Sequence, residues 1–288
     1  MTEVYEVIET LIQEGFAVKQ LCTVLDVSRS AYYAWQNAPE SPTLPAQQQL
    51  QSRVGEIFAQ HRRRYGARRI VAELHDSGEA CSRTKARQIM AEMNLIAIQP
   101  RSYKPRTTNS RHRLGFSPNL LLAGIAVSRL DQVWVGDITY IPLVNRFAYL
   151  AILLDLFSRK IVGWKLALSM DENLVLATLK QAIKARQPVP QLVHHTDRGG
   201  QYASTKYRQL LIRARMLQSM SRAGDCYDNA LMESCFGKMK TELEMKSYDS
   251  LAQAGQEIQD YINYYNTLRR HSALDYKTPT QFELNLNH

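Results

Sequence analysis

Residues 133–141 read Val133-Trp-Val-Gly-Asp137-Ile-Thr-Tyr-Ile141, and the fold turns on how this stretch is interpreted. β-branched and aromatic residues dominate it, the composition of a strand rather than a helix. A period of two puts Val133, Val135, Asp137, Thr139 and Ile141 on one face. A carboxylate therefore stands mid-strand, where burial without a partner is costly. Working outward, the pattern predicts strands over Gln132–Pro142, Tyr149–Ser158 and Ile161–Leu168, with Asn145-Arg146 and Arg159-Lys160 at the turns. Two hairpins in succession make these strands antiparallel. A helix over 172–186, a strand over Gln191–Thr196, a helix over 205–215, a strand near 217–221 and a long helix over 229–246 follow. The order β-β-β-α-β-α-β-α predicts an α/β layer, a mixed five-stranded sheet flanked by helices.

Upstream the texture is helical. Residues 4–36 read as three short helices, with Ser28 as an N-cap. Two helices joined by a short turn suit a helix-turn-helix. Residues 37–46 hold three prolines and read as a linker. Helices follow near 47–61, 67–77 and 82–93, a second helix-turn-helix-like module; residues 98–118 are again loop-like, a basic arm expected to order on DNA. The expected division is 1–36, a helix-turn-helix; 37–46, a linker; 47–97, a basic helical DNA-binding module; 98–125, a basic extended linker; 126–246, the α/β domain; and 247–288, a C-terminal helical segment.

The net charge is +9, and residues 53–113, with 14 basic and 5 acidic side chains, carry all of it. A concentrated basic stretch attracts polyanions, nucleic acid above all. The candidates for phosphate are Arg62, Arg63, Arg64, Arg68, Arg69, Arg83, Lys85, Arg87, Arg101, Lys104 and Arg106, with Arg269, Arg270 and His271 near the C-terminus. With 45% hydrophobic and 22% charged residues, the 288-residue chain is globular. No apolar run approaches the ~20 residues of a membrane span, and the acidic, polar first residues carry no secretory signal, so a cytosolic protein is expected. The four cysteines form no CxxC pair, which excludes a zinc module and a disulfide framework.

Two further acidic residues match Asp137. In Leu192-Val-His-His-Thr-Asp197-Arg-Gly-Gly an apolar strand ends on a carboxylate, the usual place for a ligand in an open α/β sheet. In Asp225-Cys-Tyr-Asp-Asn-Ala-Leu-Met-Glu233 a helix begins near Asn229 and carries Glu233 in an early turn. Three carboxylates brought together repel one another, and divalent metal removes that conflict. Hard oxygen donors suit Mg²⁺. Two such ions can clamp the attacking and leaving oxygens of a phosphodiester displacement. No Ser-His-Asp set, Walker A loop or dinucleotide fingerprint competes.

Trp134-x-x-Asp137-Ile-Thr-Tyr-Ile, His194-His-Thr-Asp197-Arg-Gly-Gly-Gln-Tyr202 and Tyr227-Asp-Asn-Ala-x-x-Glu233-Ser resemble the catalytic core of retroviral integrases and DDE transposases. The chain is most similar to OrfB-type transposases of bacterial insertion sequences with two overlapping reading frames. Arg62-Arg-Arg-Tyr-Gly66 and Tyr264-Tyr-Asn-x-x-Arg269-Arg-His-Ser-Ala-Leu274 extend the likeness over nearly the whole chain. The resemblance implies a ribonuclease H-like fold for 126–246 and N-terminal all-α helix-turn-helix modules. It implies Asp137, Asp197 and Glu233 as catalytic metal ligands for two Mg²⁺, with Mn²⁺ as a substitute. It implies cleavage at the element's ends and strand transfer, which together make DNA transposition, recombination and integration. Double-stranded DNA, as terminal inverted repeats and target, and a homo-oligomer of at least two chains are the implied partners. The upstream-frame product, or a frameshift fusion with it, is a further one. Lys240 occupies the family's basic position seven residues after the Glu. Seven helical residues turn ~700°, which returns Lys240 to the face of Glu233. Asn229 shares that face and is a DNA-contact candidate.

Asp155, in Leu-Asp-Leu-Phe-Ser-Arg, is expected to hydrogen-bond strand or loop. Of His194 and His195, one is expected to face the core and one the site. Two other functions are open to this sequence: a non-catalytic DNA-binding regulator with a ribonuclease H-like domain, which the intact triad disfavours, and an RNA-cleaving ribonuclease H, which has no use for the basic helical modules.

Overall fold

The computed structural model describes residues 2–37, 43–99, 115–221 and 230–286. The chain opens with α1 (Thr2–Gln13), α2 (Val18–Val24) and α3 (Arg29–Gln36). They close on Ile8, Leu21, Cys22 and Tyr32, and the Ser28 hydroxyl caps α3 by accepting from the Ala31 amide at 3.4 Å. The next unit is α4 (Thr43–Gln60), α5 (Ala67–Asp76) and α6 (Arg83–Glu92), packed around Val54, Tyr65, Ile70, Leu74 and Ile89. Helix α4 starts within the stretch expected as linker, because Pro45 falls in its first turn, where a missing N–H costs nothing. Ser82 caps α6 through the Lys85 amide at 3.1 Å.

The sheet has the order β3-β2-β1-β4-β5. β1 (Val133–Pro142), β2 (Phe147–Asp155) and β3 (Ile161–Ala167) form an antiparallel meander, while β4 (Val193–Thr196) and β5 (Leu217–Met220) run parallel to β1. The sheet is mixed and five-stranded, as its sequence pattern predicts. Helices α7 (Glu172–Arg186), α8 (Gly200–Ala203) and α9 (Thr205–Arg213) lie on one face, and α10 (Ala230–Glu242) and α11 (Leu251–Thr267) on the other. The short α12 (Pro279–Asn285) follows, closed by a capping box between Thr278 and Gln281.

β1 divides its side chains between two cores. Val133, Val135 and Ile141 pack with Met232, Cys235, Phe236 and Met239 of α10, whereas Trp134 and Ile138 pack with α7 and α9. Gly136 points into the second layer, where a Cβ would lie 2.6 Å from the Leu153 side chain and 3.2 Å from the His194 ring. Only glycine lets β1 approach there.

Helix α10 ends at Glu242, four residues before the expected boundary, with Glu244 in the left-handed region at φ 46°. Its last residue is held by the second helical unit. Arg64 Nε donates to the Glu242 carbonyl at 3.0 Å, and Arg69 approaches its carboxylate at 3.5 Å. Tyr65 donates to the Leu268 carbonyl at 3.0 Å and accepts from the Arg270 amide at 2.9 Å. His61 stacks on Tyr65 with ring centroids 3.7 Å apart. Among the described residues, no helix is long and apolar enough to cross a membrane.

Candidate active site

Asp137 and Asp197 are brought together by strand pairing. The parallel register of β1 and β4 runs from Val133–Val193 to Gly136–Thr196, and the two aspartates are the next residue on each strand. Both are partly exposed, beyond the fully buried stretch Val193–Thr196. Asp137 shares the alternating face of Val133, Val135 and Ile141, the face that α10 covers. Glu233 lies in the first turn of α10 and is exposed. Among the described residues, no group of three His, Cys, Asp or Glu side chains is gathered closely enough to hold a metal ion.

The carboxylates are oriented locally. Asp137 Oδ1 accepts from the Ile138 amide at 2.7 Å, and Asp197 Oδ1 accepts from the Gly199 amide at 2.9 Å. Arg198 is turned away: its Nε donates to the Ser221 carbonyl at 2.8 Å, and its guanidinium lies 4.7 Å from the centre of the Phe116 ring. Lys240, half-buried two turns along α10 from Glu233, is within electrostatic reach of Asp137. Burial lowers the Lys240 pKa, and the Asp137 charge pulls partly the other way.

Sequence reasoning quoted Tyr202 in its motif and assigned it nothing. The structure buries it beside both aspartates. Burial first, then Asp137, Tyr207 and Asp197, holds the phenol well above its ordinary pKa. The signal was the aromatic that ends the Asp197-Arg-Gly-Gly-Gln-Tyr202 run, five residues after the aspartate on a short helix.

Other expectations are corrected. Neither histidine faces the site. His194 lies 2.6 Å from the Tyr207 hydroxyl and His195 2.8 Å from Ser219 Oγ, and both are buried. Burial, then His195, depresses His194 to about 3, so the ring is neutral. Arg269, Arg270 and His271 are not the exposed basic run that their sequence suggests; each is buried against partners within the chain. Arg269 is 1% exposed and grips Glu242 at 2.6 Å; Arg270 grips Glu73 at 2.6 Å and Asp76 at 2.7 Å. His271, packed edge-on to Tyr265, is pushed down to about 2 by burial and then Arg269. Arg64 is half-buried with its guanidinium 4.6 Å from the Tyr264 ring centre, and Arg69 is turned to Glu242. Arg62, Arg63, Arg68, Arg83 and Arg87 are exposed, and Lys85 is partly so. Arg101, Lys104, Arg106 and Asn229 lie outside the described residues. Asp155 hydrogen-bonds as expected, accepting from the amides of Asp131, Phe157 and Ser158 at 2.7–3.0 Å.

Comparison with known proteins decides the family. Residues 128–226 and 214–279 match families described as integrase core domains, and residues 45–103 match one described as an HTH-like domain. The transposase for insertion sequence element IS904 of Lactococcus lactis is 41% identical over 236 residues, 81% of this chain and 93% of its own length. The transposase InsF for insertion sequence IS3A of Escherichia coli is 34% identical over 275 residues, 94% of this chain and 95% of its own length.

The chain belongs to the transposases of bacterial insertion sequences.

The HTLV-2 integrase catalytic core domain in complex with magnesium aligns at a TM-score of 0.43 and 19% identity, over 53% of this chain and 96% of that one. The integrase core and HTH-like domains of this transposase fit DNA binding, transposition and integration, and its general activity is polynucleotidyl transfer.

Proposed function

We propose that this transposase binds the ends of an insertion sequence and cuts and joins DNA with divalent metal held by Asp137, Asp197 and Glu233. One observation carries the reading: Asp137, in the middle of β1, and Asp197, just past the end of β4, follow the last paired residues of two adjacent parallel strands, and Asp137 shares the sheet face beneath the helix that bears Glu233. Three hard oxygen donors fit Mg²⁺, two ions being the expected number and Mn²⁺ an acceptable replacement. Bound there, such ions supply charge neutralisation and Lewis acidity for in-line displacement at phosphorus.

The chain's own residues do the rest. The Gly199 amide orients the Asp197 carboxylate through Oδ1. Lys240, beside Asp137, offers a cation to a DNA phosphate. Tyr202, buried near both aspartates, is held protonated by its surroundings. On this reading the reaction proceeds without a protein–DNA covalent bond, water attacking one phosphodiester first and releasing a 3′-hydroxyl, which then attacks a second. Arg83, Lys85 and Arg87, on and next to the capped first turn of α6, are the DNA contacts of the 47–97 module. One chain carries one site and two ends must be held, so a dimer or larger assembles on DNA, in the bacterial cytosol.

The test is cleavage and joining of end-containing duplexes by the full chain with Mg²⁺. Nicked and joined products, with no DNA recovered on protein after denaturation, are expected. DNA crosslinked to a side chain, or cleavage that survives EDTA, overturns the reading.

A further inference from the structure

A cleft of about 160 Å³, part polar and part apolar, lies between α10, the β2–β3 turn and the segment after α11, on a different side of α10 from Glu233. Arg69, Arg159, Ser234, Lys238, Arg269 and Ser272 line it. Ser234 and Lys238 are four residues apart on α10, so they share one helix face, roughly 100° around from Glu233. No carboxylate is among the lining residues. Glu242, the carboxylate beside Arg69, Lys238 and Arg269, is already engaged by Arg269 at 2.6–3.0 Å and by Arg69 at 3.5 Å. Neither Arg159 nor Lys238 has an ion pair among the described residues; Asp155 acts on Arg159 and Glu242 on Lys238 only through space, so four cations outnumber two carboxylates that are both already hydrogen-bonded. The field leaves its mark on the groups themselves. Lys238 and Arg69 are each lowered, first by lost hydration and next by Arg269, and Arg159 is lowered by burial. Like charges are held together here at a cost that an anion would remove.

Guanidinium forks, an ammonium and two serine hydroxyls are the donors that suit the several oxygens of a phosphate. We propose that this cleft binds a phosphate group. On the function proposed above, that group is a phosphodiester of the bound DNA, held beside the catalytic helix; the same chemistry would take a free phosphate or diphosphate. Arg159 and Lys238, which have no ion pair among the described residues, make the primary contacts. Arg269 and Arg69 form the charged back wall.

The experiment uses the full chain and two variants, Lys238→Gln and Arg159→Gln, with Lys238→Arg as the charge-preserving control and circular dichroism to verify folding. Binding of a duplex of arbitrary sequence is measured against salt, because a phosphate contact is indifferent to sequence. Loss of one such contact lowers the slope of log K on log salt by about one and weakens binding by roughly tenfold. In parallel, millimolar pyrophosphate is added during thermal unfolding at fixed ionic strength. A reduced slope in the Gln variants, restored in Lys238→Arg, with no effect of pyrophosphate, identifies a phosphodiester. A wild-type melting temperature raised by pyrophosphate, lost in the variants with the slope unchanged, identifies a free anion. If both folded Gln variants match wild type in both measurements, the cleft is no phosphate site. Mg²⁺-dependent cleavage by the wild-type chain is scored separately: its failure would overturn the proposed function and leave the binding result to stand on its own.

Discussion

The two ends of α10 use the same side chain in opposite ways. Glu233, in the first turn, is exposed, and no described residue gives it a hydrogen bond or ion pair. Glu242, at the last residue and half a turn around the helix after nine residues, is 8% exposed and saturated. Arg269 chelates it at 2.6–3.0 Å, the Tyr261 hydroxyl donates at 3.0 Å, and Arg69 stands at 3.5 Å. Burial would raise the Glu242 pKa, but the hydrogen bonds and charge of Arg269 outweigh it and hold the carboxylate ionised. A carboxylate that ties two parts of the chain together brings its own cations from the protein. One meant for an outside cation is left at the edge of the fold.

The sharpest way to break this contrast is to neutralise each end in turn. Glu233→Gln should lower strand cleavage by roughly a thousandfold, as expected for a group that acts in the transition state. Its melting should stay within about 0.5 kcal/mol of wild type, as for other exposed sites. Glu242→Gln should do the reverse, costing about 3–5 kcal/mol of stability because Arg269 stays buried with its charge unpaired. Thermal unfolding and a Mg²⁺ cleavage assay on both proteins would read this out. A strongly destabilised Glu233→Gln would put that residue in the scaffold.

A smaller effect belongs to the clasp between the second helical unit and the C-terminal segment. Tyr65→Phe removes a hydroxyl that donates to Leu268 and accepts from Arg270, and should cost about 1–3 kcal/mol in denaturant unfolding. Should the midpoint stay put, that clasp is not what joins the two parts.

Acid sharpens the same contrast. Burial would push Glu73 up from its ordinary 4.5, but hydrogen bonds from His61 and Arg270 overcome this and hold it at about 2. A depressed carboxylate stabilises the fold fully above its unfolded pKa and loses that contribution as pH falls through its folded value. The stability gap between wild type and Glu73→Gln should therefore be constant above about pH 4.5 and close towards pH 2. Melting curves across that range would test it, and a gap that persists at pH 2 would rule out the ion pair as its source. The smallest effect is expected at Ser82→Ala, which removes the cap of α6 and should cost about 1 kcal/mol without changing the rate of cutting in bound DNA.

Much of the site was legible because short-range patterns carry it. Alternation marked β1 and the face of Asp137, the apolar run into Asp197-Arg-Gly-Gly marked the end of β4, and helical spacing carried Glu233 and Lys240 onto one side of α10. The same local reasoning did not anticipate the burial of Arg269, Arg270 and His271. A basic run after a tyrosine-rich helix suits phosphate, but the partners that bury it, Glu242 and Glu73, lie 27 and 197 residues away in the chain. The histidines before Asp197 were misjudged for a related reason. Alternation assigns a side chain to a face, and here both faces of β4 are covered, with Tyr207 against one histidine and Ser219 beside the other.

Sequence alone was therefore enough for the strands, the helices, the mixed sheet and the elements that carry the three acidic residues, since periodicity and caps act over a few residues. Tertiary structure decided which charges face water and which are buried. It turned Arg269 and Arg270 into clasps, put Tyr202 under the aspartates and gathered Arg159 and Lys238 at one cleft. Those outcomes depend on which distant groups share a desolvated space, and no local pattern encodes that pairing.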